Sequence, residues 1–160
     1  TTEITFTPIT MWSECYAVAE VKFFRHMARE APYDTFHLRC LQVCAHILVN
    51  TSFSMYIFKT VVMHVLTITQ LSGQCRRDCL LLLLDVMQYL CCCLAEKRLN
   101  HFFFGNENVP KELILPPDFQ TAQPLNLFQP LIQDPHIHAK VQREFLVLRD
   151  RLRSVLIYGH

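Results

Sequence analysis

The stretch from Ser54 to Phe104 restricts the possible folds more than any other part of the chain. It reads SMYIFKTVVMHVL, then a polar break with CRRDC, then LLLLLDVMQYLCCCLAEKRLNHFFF. The two apolar runs predict two helices that bracket one charged turn. Helices this apolar are typical of the buried part of a helical bundle, since most of their surface needs apolar neighbours.

Composition fits a single all-helical domain over residues 1–160. Hydrophobic residues make up 51% of the chain, charged residues make up 18%, and only three residues are glycine. Such a chain is neither disordered nor fibrous, and its length is enough for one core. We therefore predict an all-α multi-helix bundle with a short extended segment at Thr1–Thr7.

Breaks in the sequence and the spacing of apolar residues predict where the helices lie. We expect a first helix from Thr10 or Ser13 to about residue 30, and others at about 35–49, 54–69, 75–99 and 135–157, with a short one within 124–134 around Leu127, Phe128 and Leu131. Residues 105–123 contain three prolines and are predicted to form a loop without helices. Apolar spacing gives the second helix a core face of Leu38, Leu41, Ala45 and Leu48.

The run from Cys79 to Ala95 is the longest nearly uncharged segment. As a helix it would span roughly 25 Å at about 1.5 Å per residue, short of the ~30 Å hydrocarbon core of a bilayer. Asp85 also interrupts it. We predict a buried central helix, no transmembrane segment and no signal peptide in this chain, with any membrane anchor outside it.

The eight cysteines are predicted to be reduced thiols in a reducing compartment. Three of them, Cys91, Cys92 and Cys93, are adjacent, and adjacent side chains on a helix point about 100° apart. A chain this apolar also needs no disulfides for stability. Burial in the core is the favoured interpretation of these three, and palmitoylation is the alternative.

A zinc site is a weak alternative for part of the cysteine set. His37, Cys40 and Cys44 fall at i, i+3 and i+7, on one face of the second helix. Structural zinc sites need four ligands and usually contain a close CxxC pair, which this sequence lacks. We therefore predict no metal and no cofactor.

Two further segments carry a resemblance to a known family. The sequences TMWSECYAVAEVKFF and HFFFGNENVP resemble the inositol trisphosphate receptor-interacting protein family. That family is similar to the male-abnormal (Mab) proteins and cyclic GMP-AMP synthase, within the nucleotidyltransferase-like superfamily. The resemblance implies a C-terminal helical lobe. The catalytic carboxylates of such proteins lie in the other lobe, so the resemblance implies that this chain is not an enzyme.

The same resemblance suggests two ligand-binding residues, Tyr56 and Lys59. Related enzymes begin the third helix with Ser-Ser-Tyr-x-x-Lys-Thr, where tyrosine stacks on a base. Here Tyr56, Lys59 and Thr60 match, while Met55 replaces the phosphate-facing serine. Methionine offers no hydroxyl donor, which indicates a degenerate pocket. The alternative is that Tyr56 packs under a loop and Lys59 lies at the surface.

The resemblance leads to three functional hypotheses. The first is a non-catalytic protein-interaction domain that modulates calcium signalling through a partner such as the inositol trisphosphate receptor. It would sit in the cytoplasm, with a membrane anchor outside this chain. The others are a nucleotide or second-messenger sensor and a ligand for another membrane protein. A net charge of only +1 argues against nucleic acid as a partner.

Overall fold

The computed structural model describes residues 13–30, 36–71 and 79–158, and these ranges confirm the all-α prediction. Thr1–Thr7 and the charged turn at residues 72–78 lie outside them. Within the described ranges no β-strand is present, and one isolated antiparallel bridge joins Asn100 to Asn126. The helices of this part are α1 Ser13–Glu30, α2 Phe36–Ile47, α3 Met55–Leu71, α4 Cys79–Glu96, α5 Pro117–Thr121, α6 Gln129–Gln133 and α7 Pro135–Tyr158.

Helix α4 lies at the centre of the packing, as the apolar run at Cys79–Ala95 predicts. It packs against α2, α3 and α7, and α6 packs against α7. Its inner face repeats every three or four residues, which places one apolar stripe against the other helices. That stripe consists of Leu82, Leu83, Val86, Met87, Leu90, Cys93 and Leu94.

The outer face of α4 departs from the prediction of a fully buried helix. Leu80, Leu81 and Leu84 are 40–48% exposed. Among the described residues, α4 is the helix whose length and composition would suit a membrane span, with a hydropathy of 1.8 over 18 residues of which 39% are buried. The prediction of no transmembrane segment stays a prediction.

The core face predicted for α2 is wrong at two positions. Leu38 and Ala45 are exposed, whereas Cys40, Cys44 and Ile47 are buried. A free cysteine behaves as a small apolar residue, and here two of them line the side that meets α3 and α4. The apolar stripe is therefore rotated relative to the one that the leucines predict.

Helix α4 ends in a backbone motif that stops it at Glu96. Lys97 takes a left-handed conformation with φ 57°. Its N–H donates to the carbonyl of Leu94 (3.3 Å), and the N–H of Arg98 donates to that of Cys93 (3.0 Å). This is the Schellman pattern, which satisfies the last carbonyl groups of a helix.

The run of three phenylalanines after α4 is buried and organises the long loop that follows. Phe102, Phe103 and Phe104 are 1–6% exposed, and Phe119 packs against Phe104 at a ring distance of 5.5 Å. Residues 105–123 are mostly irregular, as predicted, but they include the short helix α5, whose Phe119 enters the core. The apolar residues of this loop, Leu113, Ile114, Leu115 and Phe119, are predicted by the sequence to hold it against the core, but Ile114 is 84% exposed.

The alternating spacing of four and three in α7 predicts a core seam of Val141, Phe145, Leu148, Leu152 and Val155. The first four are buried, and Val155 is half-buried against the core. On the flank of α7, the Arg151 guanidinium donates to the carbonyl groups of Ile47 (2.8 Å) and Val49 at the end of α2. A cation at this helix end also interacts favourably with the helix dipole.

Candidate functional site

Tyr56 and Lys59 lie in the first turn of α3, on the side of that helix that meets α1. The Oγ of Ser54 accepts a hydrogen bond from the N–H of Ile57 (3.4 Å), which helps to begin the helix. Thr60 is buried, and its hydroxyl donates to the carbonyl of Tyr56 (2.9 Å). The hydroxyl of Thr60 is therefore hydrogen-bonded within its own helix, whereas the side chains of Tyr56 and Lys59 have partners on other elements.

Lys59 forms an ion pair with a carboxylate inside the domain. Its Nζ lies 3.5 Å from Oε2 of Glu20 on α1, with side-chain exposures of 38% for Lys59 and 13% for Glu20. Burial raises the pKa of Glu20, while the charge of Lys59 and its hydrogen bond act in the opposite direction. Lys59 thus offsets part of the cost of burying this carboxylate.

Tyr56 is half-buried against α1 and the segment after α4. Its hydroxyl is buried and has no hydrogen-bond partner within the described part of the chain. Its ring centre lies 6.2 Å from that of His101. Burial raises the pKa of Tyr56, with smaller contributions from Tyr16 and Glu20, so the hydroxyl stays protonated at neutral pH.

His101 lies beneath Tyr56 and is only 2% exposed. Its ring stacks on Phe104 at 4.2 Å and meets Tyr16 at 4.5 Å. Nδ1 lies 3.2 Å from the N–H of Phe103, so it accepts and the ring proton resides on Nε2. Burial, assisted by His64, lowers the pKa of His101 to about 4, and the ring is neutral at physiological pH.

At the suggested ligand-binding site, Tyr56 and Lys59 are engaged in contacts between elements of the domain. Tyr56 contributes an aromatic wall between α1 and the phenylalanine run, and Lys59 is held by Glu20. A phosphate group could reach only the exposed part of Lys59 and would compete with Glu20 for the ammonium group.

The sequence does not predict a cavity of about 370 Å³ that is lined by both His64 and His101. Its polar lining includes Tyr89 and Asn100. His64 is hydrogen-bonded, with Nε2 2.8 Å from the carbonyl of Asn100. The side-chain oxygen of Asn100 is buried without a donor among the described residues. No local pattern in the sequence signals this asparagine.

The cysteines suggested as metal ligands lie in the core. Cys40 and Cys44 are fully buried one turn apart on α2. Their mutual hydrogen bond, followed by burial, raises the pKa of Cys40, so its thiol stays protonated. The side chain of His37 lies outside the described residues. Among those described, no group of three or more His, Cys, Asp or Glu side chains could hold a metal ion.

The three adjacent cysteines do not share one environment, which corrects the predicted burial of all three. Cys91 and Cys92 are exposed, and only Cys93 is buried. Successive positions on a helix point about 100° apart, so one helix places these thiols both inside and outside the core. Burial raises the pKa of Cys93 to about 12, with smaller contributions from Glu96 and Cys92.

Comparisons with known proteins identify the family. No protein-family model and no solved structure matches the chain. The inositol 1,4,5-trisphosphate receptor-interacting protein-like 1 of Mus musculus is 34% identical over 153 residues, which are 90% of this chain. The inositol 1,4,5-trisphosphate receptor-interacting proteins of Homo sapiens and Danio rerio are 32% and 29% identical over 143 residues, 85% of the chain.

The chain belongs to the inositol trisphosphate receptor-interacting protein family. The resemblance found from TMWSECYAVAEVKFF and HFFFGNENVP is thereby confirmed. The matched region spans 28% of the mouse relative and 26% of the human one, about a quarter of each. The receptor-interacting proteins are thus much longer than this helical domain.

Proposed function

We propose that this chain is a non-catalytic, partner-binding domain of a receptor-interacting protein. The observation that carries the proposal is the similarity over 85–90% of the chain to proteins named for interaction with the inositol 1,4,5-trisphosphate receptor. The proposed partner is therefore that receptor, and the proposed effect is modulation of calcium signalling. The domain would lie on the cytoplasmic side of a membrane, anchored by a segment outside this chain.

The geometry around Tyr56 and Lys59 agrees with a binding role that does not involve phosphoryl transfer. Enzymes of that type hold metal ions with carboxylates placed beside the phosphate groups. Glu20 is the carboxylate next to Lys59, and it is occupied by that lysine. We infer that the domain descends from the helical lobe of a nucleotidyltransferase-like fold and retains the scaffold for protein contacts.

Co-precipitation from cells tests this proposal directly. The full-length protein and a variant without residues 13–158 are compared for recovery of the inositol trisphosphate receptor. We expect the deletion to abolish recovery. Equal expression, equal recovery in the membrane fraction and unchanged protease resistance of the remaining parts serve as controls. Full recovery of the receptor by the deletion variant would contradict the proposal.

A nucleotide or second-messenger sensor is the second candidate, favoured by the Tyr56 hydroxyl that lacks a hydrogen-bond partner within the described residues. Thermal unfolding of the full-length protein with ATP, GTP or CTP plus magnesium separates the two functions. A nucleotide at about 100 times its Kd adds roughly 2.7 kcal/mol of stability. For a sensor, Tyr56→Phe and Lys59→Ala would reduce this gain and the exposed Lys140→Ala would not. For a partner-binding domain, no nucleotide stabilises the protein.

A further inference from the structure

Helices α4 and α7 border a groove of about 360 Å³ on the outside of the bundle. Its floor is apolar and recessed, because Met87, Phe145 and Leu152 are each less than 9% exposed. We call it the α4–α7 groove. Its rim consists of Leu84, Gln88 and Cys91 from α4 and Arg149, Arg153 and Leu156 from α7.

The α4 wall of the groove is uncharged and largely apolar. Leu84, Gln88 and Cys91 lie at i, i+4 and i+7 and share one face of the helix. Leu84 is 48% exposed. Apolar side chains gathered at a groove, rather than scattered singly, are typical of an interaction surface.

The α7 wall carries positive charge. Arg149 and Arg153 are exposed and lie one helical turn apart. Within the described part of the chain, neither guanidinium takes part in an ion pair or a hydrogen bond, and no carboxylate lines the groove. Leu156 continues this wall and is 43% exposed. The groove therefore has one apolar side and one cationic side.

We propose that the α4–α7 groove binds an amphipathic helix of a protein partner that has apolar and acidic faces. Apolar residues at i, i+3 or i+4 and i+7 of the partner would pack on the floor and on Leu84. Two carboxylates one turn apart would face Arg149 and Arg153, since that spacing matches the arginines. This inference rests on the proposed partner-binding function and assigns it a surface.

The charge and shape of the groove disfavour two other occupants. A second copy of the chain, related by two-fold symmetry, would bring arginines of one groove towards those of the other. A protein binds a membrane surface through side chains that protrude into it. Met87, Phe145 and Leu152 are recessed in the groove and could not reach the lipid. An acidic helix suits both the concave floor and the two guanidinium groups, which have no ion-pair partner among the described residues.

The test uses two fluorescein-labelled helical peptides of about 18 residues, each roughly 27 Å long. Both carry the same leucine face; one has glutamates along an edge at i and i+4, and the other has lysines there. Fluorescence anisotropy with the full-length protein should show tighter binding of the glutamate peptide. Arg149→Glu with Arg153→Glu should weaken it about tenfold or more and improve binding of the lysine peptide.

Matched variants separate the groove from a general surface effect. Leu84→Glu should abolish binding of the glutamate peptide, while Val147→Glu, on another exposed position of α7, should not. Arg143→Glu serves as the charge control on the same helix. Bound peptide should also protect Cys91 from alkylation, with the exposed Cys92 as the internal reference.

Three results would overturn the inference. The first is equal affinity of the protein for both peptides. The second is that the two arginine substitutions change the affinity for neither peptide. The third is that Leu84→Glu leaves peptide binding intact and instead abolishes self-association or binding to phosphatidylserine vesicles.

The proposed function is tested separately by co-precipitation. It fails if the variant without residues 13–158 still recovers the receptor. If the variant with Arg149→Glu and Arg153→Glu loses binding of the glutamate peptide and still recovers the receptor normally, that result would support the groove as a binding site and assign it a protein partner other than the receptor.

Discussion

The Lys59 ammonium group lies 3.5 Å from a carboxylate oxygen of Glu20, and this ion pair joins α3 to α1. The family resemblance assigns Lys59 to a phosphate, but in this fold the lysine already has an anionic partner. Glu20 is mostly buried, so its charge depends on that partner more than a solvated carboxylate would. Lys59 therefore contributes to the packing of the domain.

Replacement of Lys59 by methionine should destabilise the domain by about 1 kcal/mol at pH 7, since Lys59 is partly exposed and its pairing is screened. Without the lysine the pKa of Glu20 rises further, so the loss grows as the pH increases and the carboxylate ionises. Glu20→Gln combined with Lys59→Met should recover most of the loss and remove its pH dependence. Urea unfolding at several pH values measures this, and an unchanged stability of Lys59→Met would contradict a structural role.

Stability should fall as the solution is acidified, partly because of His101. Its pKa is 6.5 unperturbed and about 4 in the fold. Between those values the unfolded chain binds a proton that the folded chain does not, so the free energy of unfolding decreases as the pH drops. The full effect of His101 is about 3 kcal/mol. His64, whose pKa is also lowered by burial, acts in the same direction.

His101→Phe tests this assignment because it keeps an aromatic ring against Phe104. It removes the acceptor for the Phe103 N–H, which lowers stability at every pH, but it should flatten the slope between pH 6.5 and 4. Asn108→Ala, at an exposed site that carries no titratable group, should leave the slope unchanged. Equal slopes for His101→Phe and the unmodified protein would show that His101 does not titrate as described.

Alkylation should distinguish the three adjacent cysteines in the folded protein. Cys91 and Cys92 are exposed and should react with iodoacetamide, whereas Cys93 should be protected together with Cys40 and Cys44. The raised pKa of Cys93 alone lowers its thiolate fraction about a thousand-fold at neutral pH. Tandem mass spectrometry after brief labelling measures this, with urea-unfolded protein as the control. Equal labelling of Cys92 and Cys93 would contradict the described position of α4.

Sequence patterns predicted the elements of this fold where apolar residues are large and regularly spaced. The seam of α7 follows from such a pattern, since Val141, Phe145, Leu148 and Leu152 are all buried. Helix α2 shows where they fail, because two cysteines occupy the core face and Leu38 is left outside. The period was correct, but the core face was assigned from leucine and alanine alone, although a free cysteine also packs as a small apolar residue.

The surroundings of the site depend on contacts that no local pattern contains. Glu20 and Lys59 are thirty-nine positions apart, and the spacing within each helix does not indicate which polar faces meet. The α4–α7 groove likewise arises from two helices that are distant in sequence. The family resemblance located Tyr56 and Lys59, while the fold supplied their partners.

Asn126 also depends on contacts between segments that are distant in sequence, and its replacement should lower the free energy of unfolding. Its Oδ1 accepts from the N–H groups of Leu99 and Phe128, both at 2.9 Å, and its Nδ2 donates to the carbonyl of Lys97 at 2.9 Å. Leu99 and Phe128 are fully buried, so Asn126→Ala would remove a buried acceptor from each of these two N–H groups. We expect a loss of about 3 kcal/mol.

Two further variants make the Asn126 prediction specific to these hydrogen bonds. Asn126→Asp keeps both acceptor roles but sets a carboxyl oxygen against the carbonyl of Lys97, where only a protonated carboxyl group can donate. At a pH below the pKa of that carboxyl group, it should therefore cost less than Asn126→Ala. Asn108→Ala, at an exposed position in the loop between α4 and α5, should change stability by less than about 0.5 kcal/mol. Thermal unfolding compares all three. If Asn126→Ala were no more destabilising than Asn108→Ala, the side chain of Asn126 would not be what holds the end of α4 to the segment before α6.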